Sequence, residues 1–183
     1  MSAVSFRAAV GADADSVAAL HADSWRRHYR GAYADAFLDG DVLADRRTIW
    51  SRLLAAPGSD RITIVAEADA EIIGFVHVAL DDDERWGSLV DNLHVTDARR
   101  RHGIGSALLT RAAQAVAERG TTGSMYLWVL EQNTAAQAFY AAHGGRSADR
   151  AFARSPGGVP GRLNGRPLKL RFVWPDARDL VRR

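Results

Sequence analysis

The chain alternates between two hydrophobic periods, and the switches divide it into elements. Alternation over residues 4–10, broken at Gly11, predicts a short opening strand. From Asp13 to Arg30 the period is helical, with Val17, Leu20, Ser24 and His28 near one face and Asp13 or Asp15 available as a cap. A second helix over 41–56 turns Val42, Ile49, Leu53 and Leu54 inward and stops at Pro57-Gly58. Two strands follow, 61–67 and 71–80, joined by a tight turn, and then an acidic loop over 81–87. Residues 88–95 read as a strand with little exposed polarity. Residues 104–119 read as a strongly amphipathic helix closed by Gly120. Beyond it lie a strand at 124–130 and a helix at 133–143, capped by Asn133 and ended by Gly144-Gly145. The last strands, near 148–154 and 168–174, flank Ser155–Pro167, a stretch with three prolines and four glycines that fits neither a helix nor an inner strand.

The resulting order is β-α-α-β-β-β-α-β-α-β-β. Strand–helix–strand crossovers require locally parallel pairing and hairpins require antiparallel pairing. The expectation is therefore an α/β (α+β) fold: one domain over 1–183, with a mixed central sheet of about seven strands and flanking helices.

Composition supports a self-sufficient globular domain, with 47% hydrophobic and 25% charged residues in 183. A chain of this length buries roughly 70% of its unfolded surface. The absence of cysteine excludes disulfides, zinc–thiolate sites and a cysteine nucleophile, and suits a reducing, cytoplasmic setting. The N-terminus lacks a secretory pattern and no apolar run approaches 18 residues, so neither export nor a membrane span is expected. The net charge is only +2, and Lys169 is the single lysine among 24 basic residues. The placement of the arginines matters more than their sum.

They concentrate at "RRRHGIGSALL", residues 99–109, between a predicted strand and the amphipathic helix. A helix start carries unpaired N–H groups and about half a positive charge. Gly103 and Gly105 permit close approach of a ligand, and arginines add phosphate donors, so the turn suits a pyrophosphate. The spelling excludes Walker A, which needs a lysine here, and the dinucleotide fingerprint, whose third small residue is replaced by Leu108. A nucleic-acid patch would spread its bases among aromatics, and this run has none. A solvated basic turn remains the plain alternative on these residues alone.

The spelling Arg100-x-x-Gly103-x-Gly105 resembles the (Q/R)-x-x-G-x-(G/A) signature of the GNAT superfamily of N-acetyltransferases. "VLEQNTAAQAFYAAHGG" is similar to that family's second signature, an asparagine followed seven residues later by a tyrosine. Residues 19–40 resemble the first helices of many members, and the likeness weakens after Gly145. The resemblance implies a sheet splayed between its fourth and fifth strands and acetyl-CoA as co-substrate, with no metal. The pyrophosphate would sit on Arg100, Arg101, His102, Gly103, Ile104, Gly105 and Ser106. The pantetheine arm would pair with the backbone of Leu93, His94 and Val95 and meet Asn133, and Tyr140 would protonate the departing thiolate. In the ribosomal-protein acetyltransferases of the superfamily a glutamate precedes the asparagine by five residues. Trp128 stands there in this chain, which argues against that route to a base and that class of substrate.

The chemistry asks for more than an acid. Neutralising an ammonium of pKa about 10.4 at pH 7 costs about 4.6 kcal/mol, whereas a thiol near pKa 8.5 needs only about 2 kcal/mol. Without a cysteine or a G-x-S-x-G elbow, direct attack in a ternary complex is expected. Asp91, by alternation on the strand face of Leu93 and Val95, is the candidate base, acting through water; its plain alternative is a carboxylate hydrogen-bonded at a strand end. His77 reads as a core histidine and Glu67 as a hairpin charge. Trp25, Tyr29 and Tyr33 are candidate acceptor contacts for a small-molecule or peptide amine, and Trp50 reads as core. Asp81–Glu84 is a candidate lure for a cationic acceptor, and Ser155–Pro167 a candidate lid or homodimer contact. No nucleic acid or membrane partner is expected. The functional alternative is a non-catalytic acyl-CoA-binding or sensing module on the same fold.

Overall fold

The computed structural model describes residues 3–182. Strands β1 (Ser5–Ala8), β2 (Arg61–Ala68), β3 (Glu71–Asp83), β4 (Gly87–Val95), β5 (Met125–Leu130), β6 (Arg146–Phe152) and β7 (Leu168–Trp174) form one sheet in the order β1-β2-β3-β4-β5-β7-β6. Every neighbouring pair is antiparallel except β4 and β5. Helices α1 (Ala14–His28), α2 (Asp35–Asp39) and α3 (Val42–Ala55) precede β2. Helix α4 (Ile104–Arg119) joins β4 to β5, α5 (Thr134–Ala142) joins β5 to β6, and α6 (Arg178–Val181) closes the chain.

The apolar alternation of the strands places one side of the sheet under α4, where Val76, Val78, Leu108, Leu109 and Leu127 share a core cluster. The other side meets α1 and α3 through Val17, Trp50 and Phe75. A third cluster under α2 gathers Trp25, Tyr33, Phe37 and Leu38 around Leu130.

Two features of β4 position the site. Its parallel pairing with β5 is confined to Ser88↔Met125 and Leu89↔Tyr126, so the strands splay beyond Leu89, as the resemblance implied. Its register against β3 also shifts: His77 faces Asn92 while Val78 faces Val90, leaving Asp91 as an extra residue. Such a bulge bends its strand and re-aims side chains. The alternation that put Asp91 on the face of Leu93 and Val95 is therefore broken at Asp91 itself. Leu93 and Val95 pack on the α4 side, whereas the Asp91 charge acts on Tyr29, Tyr33, His77 and Lys169.

Other departures have local causes. The first helix stops at His28 because Tyr29 leaves helical backbone angles and Gly31 takes φ +86°. Asp13 does not cap α1; its carboxylate accepts from the Val10 N–H at 2.8 Å and pairs with Arg7. The acidic loop is shorter than its composition suggested, since β3 continues through Asp83. The short helices α2 and α6 carry too few residues to show a period.

Candidate active site

The splay between β4 and β5 opens a cleft of about 590 Å³. At one end stands the first turn of α4. Gly103 is its N-cap, at φ +77°, and Arg101 is also left-handed, at φ +63°. This geometry turns the amides of Ile104, Gly105 and Ser106 away from any intrahelical acceptor, because they begin the helix. An added Cβ on Gly105 would meet Phe139 at 3.5 Å, an ordinary contact, so α5 packs directly over this turn without requiring glycine there. The Ser106 hydroxyl lies 2.9 Å from His143 Nε2, and His143 Nδ1 lies 2.8 Å from the Phe139 carbonyl. Nδ1 therefore donates to the carbonyl, and Nε2 accepts from Ser106. His143, absent from the sequence expectations, ties the glycine turn to α5. The visible signal was its position three residues after Tyr140.

Of the arginines, Arg99, Arg100 and Arg101 all line the cleft. Arg99 faces Asp69 at 3.6 Å and Arg100 faces Asp97 at 3.3 Å. His102 does not line it; its ring bonds back to the Arg100 carbonyl at 2.8 Å. Ile104 is a core residue, 4% exposed, so only its amide faces the turn. Leu93, His94 and Val95 form the β4 wall, and beyond Leu89 the β5-facing edge of this strand has no strand partner. Asn133 lines the far wall while its side chain accepts from the Ala136 N–H at 3.1 Å, capping α5 as its position predicts.

The other end is aromatic. Tyr29, Trp128 and Tyr140 line it together with His94 and Ser24. Tyr140 packs against Phe139, Phe172 and Trp174, and its hydroxyl has no hydrogen-bond partner among the described residues. Burial, reinforced by Tyr29, holds its phenol well above the usual range, so it stays protonated at neutral pH. Burial and the Asp91 charge push Tyr29 up to about 12. His94, hydrogen-bonded to Ser24 Oγ through Nδ1 at 2.7 Å, is pushed down to about 3 by burial and by His28 and Arg46, and is neutral.

Several expected acceptor elements lie elsewhere. Trp25 and Tyr33 are buried in the α2 cluster, Trp25 under the Arg46 guanidinium, so of the three aromatics only Tyr29 reaches the cleft. Asp91 is exposed and stands outside the cleft's lining. His77 is a core residue, 3% exposed, hydrogen-bonded to Thr63. Glu67 pairs with Arg7. The acidic run is occupied by the fold rather than open to a cation. Asp81 accepts from Thr121, Asp82 from the Tyr126 hydroxyl, and Asp83 from the amides of Arg85 and Trp86. The Gly/Pro loop is docked rather than poised as a lid. Arg162 bonds Asp45 at 2.6 Å and covers Phe37, its carbonyl accepts from Ala34, and Asn164 bonds the carbonyls of Ala32 and Tyr33.

A splayed sheet with a phosphate-type helix start at one end of the cleft and a protonated tyrosine at the other defines an acyltransferase architecture. The family described as "Acetyltransferase (GNAT) family" matches residues 16–144, and the chain belongs to that family. It is 29% identical over 140 residues to the Mycobacterium tuberculosis (strain ATCC 25618 / H37Rv) protein named "Probable N-acetyltransferase Rv2775", covering 75% of this chain and 76% of that one. It is 27% identical over 133 residues to "Uncharacterized N-acetyltransferase YuaI" of Bacillus subtilis (strain 168), covering 71% and 73%. Among solved structures, the PaiA N-acetyltransferase of Thermoplasma acidophilum in complex with coenzyme A superposes with a TM-score of 0.73 at 18% identity, over 94% of this chain and 99% of that one. That likeness establishes the fold. Among the described residues no group of side chains is arranged to hold a metal ion, and no helix is long and apolar enough to cross a membrane.

Proposed function

We propose that this protein transfers an acetyl group from acetyl-CoA to a primary amine by direct attack in a ternary complex. The observation that carries the reading is the cleft itself: free α4 amides and three arginines at one end, an unpaired β4 edge along its side, and the unpartnered Tyr140 hydroxyl at the other. The residues fit the nucleotide cofactor's chemistry. The amides of Gly103–Ser106 with Arg100 and Arg101 offer donors for a pyrophosphate. The backbone of Leu93–Val95 offers strand-type hydrogen bonds to the amides of a pantetheine arm, and Asn133 flanks it.

In the chemical step the amine's lone pair attacks the thioester carbonyl and the C–S bond breaks. The nitrogen's proton passes to Asp91 through water, and the departing sulfur takes the Tyr140 proton. The phenolate then regains a proton from solvent and Asp91 releases one to it, so atoms and charge balance. Tyr140 suits the acid role because burial keeps it protonated and nothing in the described protein competes for its hydroxyl. A single proton donor to a leaving group contributes about 10²-fold.

The test joins calorimetry to a thiol-release assay over an amine panel. Acetyl-CoA is expected to bind and at least one amine to turn over. The Tyr140→Phe variant is expected to lose about 10²-fold in kcat with little change in acetyl-CoA KM. Unchanged kcat would refute the acid role. Cofactor binding without turnover of any amine would favour a sensing module, and no binding at millimolar acetyl-CoA would refute the whole reading.

A further inference from the structure

On the α1 face of the sheet, beyond the aromatic end of the cleft, lies a cluster that the transfer chemistry does not use. In the register of β5 and β7, Trp128 faces Arg171 and Leu130 faces Lys169, which puts both cations on the face of Trp128. Lys169 Nζ sits 4.2 Å from the Trp128 ring centroid, and the Arg171 guanidinium sits 4.4 Å from the same ring. Trp128 itself lines the cleft. The only lysine of the chain therefore stacks on a ring of the cleft wall, without itself lining the cleft.

Lys169 is half-buried, and among the described residues it has neither an ion pair nor a hydrogen bond. Burial, with Arg154 and Arg171 nearby, lowers its pKa, so the ammonium is electrostatically undercompensated where it stands. Arg171 is better enclosed. It stacks on Trp86, Tyr126 and Trp128 and has carboxylates at 3.8 Å (Asp83) and 3.5 Å (Asp149), yet its Nε and Nη1 make no hydrogen bond. A buried cation left short of acceptors is costly unless an anion arrives. The Asp91 charge acts on Lys169 and Tyr29 alike. Asp83 and Asp149 already face Arg171, so the cation left without a carboxylate partner is the single charge of Lys169, which a monoanion would match.

We infer that the acceptor is an amine carrying its own carboxylate, an amino acid, whose carboxylate pairs with Lys169 beside Trp128 while its amine faces Tyr140. Arg171 acts behind Lys169 as supporting charge. The assignment rests on the acetyl-transfer reading above and narrows it: a diamine or a peptide N-terminus would bring no anion to Lys169.

The experiment compares amino acids of several side-chain types with their own amides and decarboxylated amines. It uses the full chain with acetyl-CoA and follows thiol release. The best amino acid is expected to exceed its amide by about tenfold in kcat/KM, the scale of one charge-assisted hydrogen bond. Lys169→Met is expected to bring that ratio close to one without changing acetyl-CoA affinity, and Lys169→Arg to retain most of it. Amides or decarboxylated amines that match their amino acids, or a ratio unchanged in Lys169→Met, would overturn the inference. A second readout separates it from the transfer reading. N-acetyl amino acids and their amides are titrated against the CoA-bound protein by tryptophan fluorescence, with Trp128→Phe identifying the reporting ring. Tighter binding of the acids supports the anion site even if no amine turns over; equal binding refutes it even if transfer is observed.

Discussion

Gly103 illustrates how one residue sets the cofactor end of the cleft. Its φ of +77° lies where an L side chain is strained, and a Cβ added there would meet nothing within 4 Å. A substitution therefore changes conformational energy without a clash. Gly103→Ala is expected to cost about 1 kcal/mol in denaturant unfolding and to weaken acetyl-CoA binding, because the turn relaxes away from its donor geometry. Gly103→Asn, which tolerates the left-handed region, is expected to recover part of both losses. An alanine variant as stable as the parent would show that the turn takes another shape. At the same scale, His102, expected at the pyrophosphate, folds back onto backbone, while its neighbour Arg99 lines the cleft. Residue type could not separate them, since the left-handed Arg101 between them decides which side chain points inward.

At the scale of elements, α5 is the part that places Tyr140. Its start is set by the Asn133 cap, and its end by Gly145, whose amide bonds the Tyr140 carbonyl at 2.9 Å. Trp174 on β7 closes over that end, with its indole N–H bonded to the His143 carbonyl. A Cβ on Gly145 would stand 2.6 Å from Trp174 Cζ2, an impossible contact for a packed indole. Gly145→Ala is expected to cost about 1–3 kcal/mol and to lower kcat more than acetyl-CoA affinity, because the helix carrying the acid must shift. Thermal unfolding and steady-state kinetics on the same preparation check both parts. The boundaries of α4 and the Asn133 cap were legible in sequence because period and capping are local properties. The bulge at Asp91 was not, because an extra residue in a strand is defined only against the register of its neighbour.

Across the whole molecule, three histidines lie in or beside the α1-side core: His21, His77 and His94. Burial holds each below its ordinary value, with His94 at about 3. His21 accepts from the Trp50 indole through Nδ1 and leaves Nε2 without a partner. Because the folded pKa values lie below the unfolded value near 6.5, the unfolded chain binds more protons once the pH falls beneath it. Folding stability contributed by the neutral rings is complete above about pH 6.5 and is lost as pH falls toward the folded values. The limiting slope is about 1.4 kcal/mol per pH unit per histidine. Urea unfolding between pH 7.5 and 5 is expected to show this loss, and His94→Gln to flatten it. A stability curve level across that range would contradict the buried neutral state.

The sequence by itself determined the order of the strands and the longer helices, the mixed sheet, and the glycine turn before α4 and the cap of α5, since hydrophobic period, caps and glycines act over a few residues. Through the resemblance of its two signatures it also pointed to Tyr140 and to the Arg100–Ser106 turn, of which all but His102 and Ile104 line the cleft. Only the tertiary structure decided which aromatics reach the cleft and that the acidic run and the Gly/Pro loop are already engaged. It alone brings Lys169 onto the ring of Trp128 at the cleft. Those outcomes depend on strand register and on neighbours more than thirty residues away, and no local pattern encodes them.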